Sequence, residues 1–343
     1  GGGLAGCFSA LEYGFSLRHE DIEVELLHDP TKKAEKVGAG SLMYLPQLLF
    51  STTGFNWCAN NLHTTLKTGL TYEGWGKVND KFVHAFPSNR VGMHFSPVEM
   101  QSYILNSGWF KVTEKKVTDI NNIDSDFIVD CRGTPKDLSE YQELKNPLNA
   151  CLLGKPNFNT FLPYTRNVAT PDGYTFIIPT VPDSPSYQAA VGYLYNSDIT
   201  SRKEAESNFL DLFDVEITGH KSFKSYVAKN PVENNRVFKN GNRLFFLEPL
   251  EATSTETYLH AADIYAGVMY GQNSVENANN YIKNYMFQIQ NFILWHYQFG
   301  SKYDTPFWKY AQTLTYKDEL LDKLIDLTTK VSFSDNLERT FGG

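Results

Sequence analysis

Leu4, Phe8, Leu11 and Phe15 recur at steps of three and four residues, the spacing that lays one apolar stripe along a helix. A helix is predicted there, opening on a run of glycines. Ile22-Glu23-Val24-Glu25-Leu26-Leu27 then alternates in steps of two and predicts a strand. Further along, Asp126-Phe127-Ile128-Val129-Asp130 is a short apolar run closed by Gly133 and Pro135, and it reads as a buried strand. Tyr174 to Pro179 and Ala189 to Tyr195 read as two more strands, joined by the turn-rich Val181-Pro182-Asp183-Ser184-Pro185. From Thr253 onward the period becomes helical: Tyr258, Ala261, Ile264, Tyr265 and Val268 share one face, and Tyr281, Tyr285, Ile289, Phe292 and Trp295 share another. The pattern predicts an α/β (α+β) chain, sheet-based over residues 1–252 and helical over 253–343.

Composition narrows the class. The 343 residues amount to about two domains at roughly 150 residues each, and 41% hydrophobic against 20% charged residues gives a globular chain rather than a disordered one. No apolar run approaches the roughly 20 residues that span a bilayer, and the opening residues lack the basic start of a signal peptide. A soluble, intracellular protein without a membrane partner is expected. With 39 acidic residues against 31 basic ones and no Lys/Arg block, nucleic acid is a poor partner. Cys7, Cys58, Cys131 and Cys151 form no C-x-x-C pair, so reduced thiols are expected rather than zinc or disulfides. No metal site is assigned: His63, His260 and His296 have no ligand spacing and read as core or helix histidines. The 14% aromatic content fills a core and also suits walls around a flat ligand. Trp57, Trp109, Trp295 and Trp308 are candidates for such walls, with core packing the simpler reading of each.

Gly1-x-Gly3-x-x-Gly6, followed by a helix and a strand, is the order of a dinucleotide-binding unit. In such a loop the first glycine makes the turn, the second admits a pyrophosphate, and the third lets the helix pack, while the helix end offers N–H groups. The fingerprint normally follows a strand, so a strand ahead of Gly1 is expected in the whole protein. The acidic residue that meets a ribose is expected to be Asp29, one place after His28. A second glycine pair, Gly38 and Gly40 before Ser41, makes a loop that can pass close to a flat cofactor.

Phe246-Leu247-Glu248-Pro249-Leu250-Glu251-Ala252-Thr253-Ser254-Thr255-Glu256 carries the most information. Thr253-x-x-Glu256 reads as a capping box that starts a helix, with Glu251 on the approach set by Pro249. A helix start with unsatisfied N–H groups is also an anion site.

This segment resembles the "EPLES-T" motif of the flavin-dependent halogenases of the tryptophan-halogenase type. Other pieces follow in the same order. Thr65-Leu66-Lys67-Thr68-Gly69-Leu70 with Gly74-Trp75 is similar to the stretch around the family's catalytic lysine. Asp130-Cys131-Arg132-Gly133 is similar to its "DC-x-G" signature. Gly192-Tyr193-Leu194-Tyr195, with Lys203-Glu204-Ala205, resembles its "GY-x-Y … eeA" stretch. Phe292-Ile293-Leu294-Trp295-His296-Tyr297 and Pro306-Phe307-Trp308 resemble its "dFi-x-x-HY … FW" ending. Two positions depart. Tyr174 and Phe176 of Gly173-Tyr174-Thr175-Phe176-Ile177-Ile178-Pro179 replace the two tryptophans of "GW-x-W-x-IP", and Ser41 stands where the family's strap usually has Glu. The chain is also shorter than tryptophan-specific members, so loops that enclose indole are expected to be absent. Its wealth of Asn, Lys, Tyr and Phe suits AT-rich coding, as in a phage-encoded member.

The resemblance implies a Rossmann-like FAD-binding domain with a mixed sheet and a helical C-terminal subdomain, flavin-monooxygenase-like in architecture. It implies FAD, taken up as FADH2 from a separate flavin reductase, and a halide ion. Gly1, Gly3, Gly6, Asp29, Gly38, Gly40 and Leu247 would bind the flavin, and the backbone N–H groups of Thr253 and Ser254 the halide. Lys67 would meet hypohalous acid, by hydrogen bond or as a haloamine, and Glu251 would orient the halogen and take the ring proton. The substrate would be a small electron-rich aromatic such as an indole or phenol, with bromide or iodide favoured over chloride because they are easier to oxidise. A homo-oligomer is compatible with the sequence. Two rival readings are an FAD-dependent aromatic monooxygenase and a non-catalytic flavin-binding protein.

Overall fold

The glycine-led helix forms where the periodicity predicts it, as α1, Leu4–Ser16. A computed structural model describes residues 1–314 apart from 33, 35, 60, 61, 77–79, 161 and 180–189. The other helices among the described residues are α2 (Tyr44–Thr53), α3 (Pro97–Leu105), α4 (Arg202–Leu212), α5 (Thr253–Met269), α6 (Val275–Gln298) and α7 (Pro306–Thr313). Serines start three of them: the hydroxyls of Ser96, Ser201 and Ser274 accept the N–H three residues on, at the heads of α3, α4 and α6. None of the described helices is long and apolar enough to cross a membrane.

Among the described residues, six strands lie within the first hundred: β1 (Glu25–His28), β2 (Ala39–Gly40), β3 (Thr65–Lys67), β4 (Gly69–Glu73), β5 (Lys81–Ala85) and β6 (Gly92–Phe95). The alternating run from Ile22 becomes strand only at Glu25, and Ile22 itself is exposed. β1 pairs in parallel with Lys111–Glu114. The run at 126–130 likewise shortens to Ile128–Asp130, in parallel with Val237–Lys239, with Phe127 outside it and exposed. The two later strands are Gly173–Ile177 and Val191–Tyr195, neighbours in register with Gly173 opposite Tyr195. Ala189 and the expected 181–185 connection lie outside the described residues, as does the helical region beyond 314.

The largest sheet has seven strands in the order Val215–Ser222, Ala150–Pro156, Val191–Tyr195, Gly173–Ile177, Tyr164–Thr170, β4, β5. All its pairings are antiparallel except that of β4 with Tyr164–Thr170. Tyr72, Tyr174 and Leu194 from this sheet share one core with Tyr265 of α5, Ile293 of α6 and Trp308 of α7. A second core packs Phe8 and Leu11 of α1 against Leu45 and Leu49 of α2, Phe95, and Ile104 of α3. Burying a side chain the size of Phe8 contributes about 1.5–3 kcal/mol, so the apolar stripe of α1 anchors the glycine turn ahead of it.

The second C-terminal face is shifted from its expectation. Ile289 and Trp295 of α6 are buried, but Tyr281 is exposed, and the inward stripe runs instead through Ala278, Ile282, Met286 and Ile293. The tyrosine belongs to the solvent edge of an aromatic-rich helix, where hydrophobicity alone misassigns a residue with a polar tip.

Candidate active site

Two sheets meet at the polar centre of the molecule. Lys67 ends β3, which pairs through β6 with β2, so that Lys67 faces Gly92, and Thr65 and Gly40 both face His94. After Thr68 the chain enters β4 and the large sheet, with Gly69 opposite Ala85 of β5. A Cβ on Gly69 would lie 2.3 Å from the His84 carbonyl oxygen. Only glycine lets β4 and β5 approach this closely, directly behind Lys67.

The Lys67 side chain is fully buried, and its Nζ has no hydrogen-bond partner. It lies 5.6 Å from the centre of the Phe86 ring, and a Cβ on Gly40 would sit 3.3 Å from it. The glycine of the second cluster therefore leaves room for the ammonium head. Burial pulls the Lys67 pKa down to about 7, with Glu251 acting in the opposite sense. Nearby His94 is buried between the hydroxyls of Thr65 (3.1 Å) and Thr165 (2.9 Å). Its pKa is held low by burial and then by Lys67, which keeps it neutral.

Glu251 is the opposite case, a buried carboxyl with many partners. Tyr72 of β4 donates its hydroxyl to Oε1, His296 of α6 approaches the same oxygen at 2.9 Å, and His84 of β5 lies 3.4 Å from Oε2. Burial opposes ionisation, but the hydrogen bonds and charge of His296 and His84 outweigh it and hold the carboxyl well below the usual range. Three residues earlier, Glu248 accepts only the Tyr297 hydroxyl, 3.0 Å from both oxygens, and burial pushes its pKa up to about 8. Adjacent residues of α6 thus contact the two glutamates with different results: His296, with His84, outweighs the burial of Glu251, whereas the single hydroxyl of Tyr297 does not offset the burial of Glu248. The loop that carries them is pinned by Asn167, whose amide donates to the Leu250 carbonyl at 3.1 Å.

The helix after Glu251 starts at Thr253 as expected, but the capping box does not form. The N-cap is Ala252, in the left-handed region at φ 53°, and no side chain caps the helix. Thr253 is the first helical residue, so its hydroxyl is past the capping position, and it is Thr257 that donates to the Thr253 carbonyl at 2.9 Å. Glu256 accepts instead from the backbone of Tyr44 at the head of α2. A non-glycine residue in this conformation costs on the order of 1–3 kcal/mol and recurs at functional sites. Here it leaves the N–H groups of Thr253 and Ser254 without side-chain competition beside Glu251.

At the other end, the glycine turn is tight on one side and open on the other. A Cβ on Gly1 would lie 2.5 Å from the Cys131 carbonyl oxygen, and one on Gly6 1.7 Å from the carbonyl oxygen of Gly1, but one on Gly3 would meet nothing within 4 Å. Gly3 is the N-cap of α1, again without a side-chain cap, and the first helical bond runs from the Cys7 N–H to its carbonyl. An open backbone face in front of free helical N–H groups fits a dinucleotide pyrophosphate. Asp29 turns back on Thr31, accepting from its N–H at 3.0 Å and its hydroxyl at 2.6 Å. It is His28 that stands against the turn, 2.6 Å from a Cβ built on Gly2. Leu247 is a core side chain, so only its backbone is available to a ligand. Gly38 is buried just ahead of β2.

The structure therefore brings Gly40, Lys67 and Glu251 into one centre, with Thr253 and Ser254 beside it, and gathers Gly1, Gly3 and Gly6 at a separate end. Tyr72, His84 and His94 escaped the sequence reading, and His296 was read as a core or helix histidine and as part of the "HY" motif, without a role at the site. The signal for His296 was its place beside Tyr297, two polar tips on an otherwise apolar helical face. Of the tryptophans, Trp308 is core, donating to the Thr170 carbonyl at 2.8 Å, and Trp109 donates to that of Thr52. Tyr174 and Phe176 are both buried, Tyr174 against Trp75 and Phe176 against Gly192.

A family model described as tryptophan halogenase matches residues 1–110 and 110–341. Tryptophan 6-halogenase SttH of Streptomyces toxytricini is 25% identical over 286 residues, 75% of this chain and 51% of SttH. The chain spans about half the length of the curated relatives it matches. Among solved structures, MibH, a lanthipeptide tryptophan 5-halogenase, superposes with a TM-score of 0.79 at 19% identity, over 96% of this chain and 77% of MibH. Xcc4156, a flavin-dependent halogenase from Xanthomonas campestris, gives 0.78 at 15% identity, over 95% and 82% of the two chains. The fold is the Rossmann-like α/β fold of these flavin-dependent halogenases, and with the family model matched along nearly its whole length, the chain belongs to the tryptophan-halogenase family.

Proposed function

We propose that this protein is an FADH2-dependent halogenase that places a halogen on an electron-rich aromatic ring. The observation that carries the reading is the fully buried, unpartnered Lys67 Nζ near an ionised Glu251 at an uncapped helix start. Gly3 and the head of α1 would hold the FAD pyrophosphate, with Gly1 and Gly6 packing the turn; Asp29, Gly38, Gly40 and the Leu247 backbone are the remaining candidates for flavin contacts. When bound as FADH2 from a separate reductase, the cofactor supplies two electrons to O2, which takes two more from halide and so yields hypohalous acid and water.

The chain's own residues do the rest. The N–H groups of Thr253 and Ser254 bind halide through the helix end, without a side chain that the oxidant would consume. Lys67 has both protonation states within reach near neutral pH. As ammonium it gives a proton to the hypohalous oxygen as the oxygen–halogen bond breaks, so that the oxygen leaves as water; as amine it takes the halogen while one N–H proton leaves with the hydroxide as water, and it then passes the halogen on. When the ring carbon has bonded the halogen, the ring C–H bond breaks, its electron pair restores aromaticity, and Glu251 accepts the proton. The dry surroundings of both groups keep the oxidant from being lost to solvent.

Bromide and iodide are the expected halides, being easier to oxidise than chloride, and indoles and phenols the expected substrates. Purified protein with flavin reductase, FAD, O2 and one halide at a time, offered a panel of indoles and phenols, tests this by mass spectrometry. Products carrying the halogen supplied support the reading. An oxygenated product formed without halide would make the protein a monooxygenase, and FAD binding with no product on any arene would make it a flavin-binding protein.

A further inference from the structure

The two ring nitrogens of His296 face acceptors only. Nδ1 lies 2.8 Å from the carbonyl oxygen of Phe292, one turn earlier in α6, and Nε2 lies 2.9 Å from Glu251 Oε1. A backbone carbonyl cannot donate, so Nδ1 must carry a proton. A neutral imidazole would then turn the bare lone pair of Nε2 toward a carboxylate oxygen. Either the imidazole carries a second proton or the carboxyl does.

The surroundings decide between the two. Glu251 Oε1 already accepts the Tyr72 hydroxyl, and Oε2 has His84 at 3.4 Å. A carboxylate with several donors stays ionised. The remaining titratable pair beside it, Glu248 with Tyr297, keeps its hydroxyl hydrogen bond to itself. The His296 ring lies flat against Tyr72, 5.1 Å between centres with 24° between planes, and edge-on to Phe292 at 4.8 Å and Trp295 at 5.3 Å. It is therefore fixed in orientation as well as paired.

We propose that His296 carries a proton on both ring nitrogens and forms a buried ion pair with Glu251, occupying Oε1 together with Tyr72, so that Oε2, beside His84, is the oxygen that works on the substrate. His296 is a positioning residue in this account, since it acts through Glu251. The functional meaning of Oε2 rests on the halogenase reading above, but the charge state of His296 does not, and it can be measured without cofactor or turnover.

The test is nitrogen NMR of the histidine rings in 15N-histidine-labelled full-length protein at about pH 8, where an ordinary histidine with a pKa near 6.5 is neutral. His296→Gln, which loses the ring signal, assigns the resonance. The expected result is a histidine ring protonated on both nitrogens that is absent in His296→Gln and turned neutral in Glu251→Gln, separate from any signal of His84, which also faces Glu251. A neutral His296 at this pH, or an imidazolium indifferent to Glu251→Gln, overturns the ion pair. If His296→Gln does not fold, neutron diffraction on the unaltered protein locates the same protons, with hydrogen on both ring nitrogens expected and hydrogen on Nδ1 alone contradictory. Failure here with halogenation intact would remove only the ion pair; an imidazolium without halogenation would remove only the enzyme assignment.

Discussion

The two uncapped helix ends assigned to anions are built in opposite ways. At α1 everything is backbone: Gly1 and Gly6 close the turn by contact and Gly3 stays open. At α5 the approach is made of side chains, with Glu251, Tyr72, His296 and Lys67 buried and His84 half-buried around a left-handed Ala252. A serine hydroxyl satisfies the first turn of α3, α4 and α6, whereas α1 and α5 lack one, as do α2 and α7, which start on Met43 and Thr305. A missing cap is thus no signature alone. Shape distinguishes the first end and charge the second, so the two should fail differently.

The sharpest break is at Gly6. A Cβ there would sit 1.7 Å from a backbone oxygen, and Gly6→Ala should cost more than about 3 kcal/mol in urea unfolding and abolish FAD binding. Gly3→Ala meets nothing and should leave unfolding unchanged while weakening FAD affinity about tenfold or more, read by fluorescence titration. Equal effects of the two would refute the one-sided turn. At the charged end, Glu251→Gln keeps shape but not charge, and turnover should drop by about a hundredfold with FAD affinity unchanged; near-normal rates would remove Glu251 from the chemistry.

Glu248 supplies a pH test. Its folded-state pKa of about 8 is raised above the ordinary 4.5. Below the ordinary value both folded and unfolded chains hold the proton and there is no penalty. As pH rises the unfolded chain ionises first, so stability is lost up to about pH 8 and then levels. Glu248→Gln, which can still accept from Tyr297, should remove that loss and stabilise the fold at neutral pH by up to about 3 kcal/mol. Unfolding curves that keep the wild-type pH slope would contradict it. The mildest change is Gly40→Ala, whose Cβ would crowd Lys67 Nζ at 3.3 Å. Halogenation should fall several-fold, on the order of 1 kcal/mol, by more than any accompanying loss of FAD affinity.

How much of this was legible in the sequence follows the same division. The glycine turn and α1 read directly, because spacing and glycine identity carry the information locally. Lys67 and Glu251 emerged only from their flanking motifs. Their partners were invisible because Tyr72 and His84 come from the large sheet and His296 from α6, 179, 167 and 45 residues from Glu251 along the chain. The capping box failed for a related reason: Thr253-x-x-Glu256 satisfies the local rule, but Glu256 is taken by α2, a tertiary contact that local spacing cannot report. Asp29 was placed by counting from a strand whose observed end brings His28, not Asp29, against the turn.

Lys67→Ala tests the account most directly. Wild-type and variant protein, each with flavin reductase, FAD, O2, bromide and an electron-rich indole or phenol, are compared by mass spectrometry, with FAD affinity measured in parallel. The expected result is a brominated product from the wild type, none from the variant, and equal FAD affinity; brominated product at the wild-type level from Lys67→Ala would contradict the role given to the buried lysine.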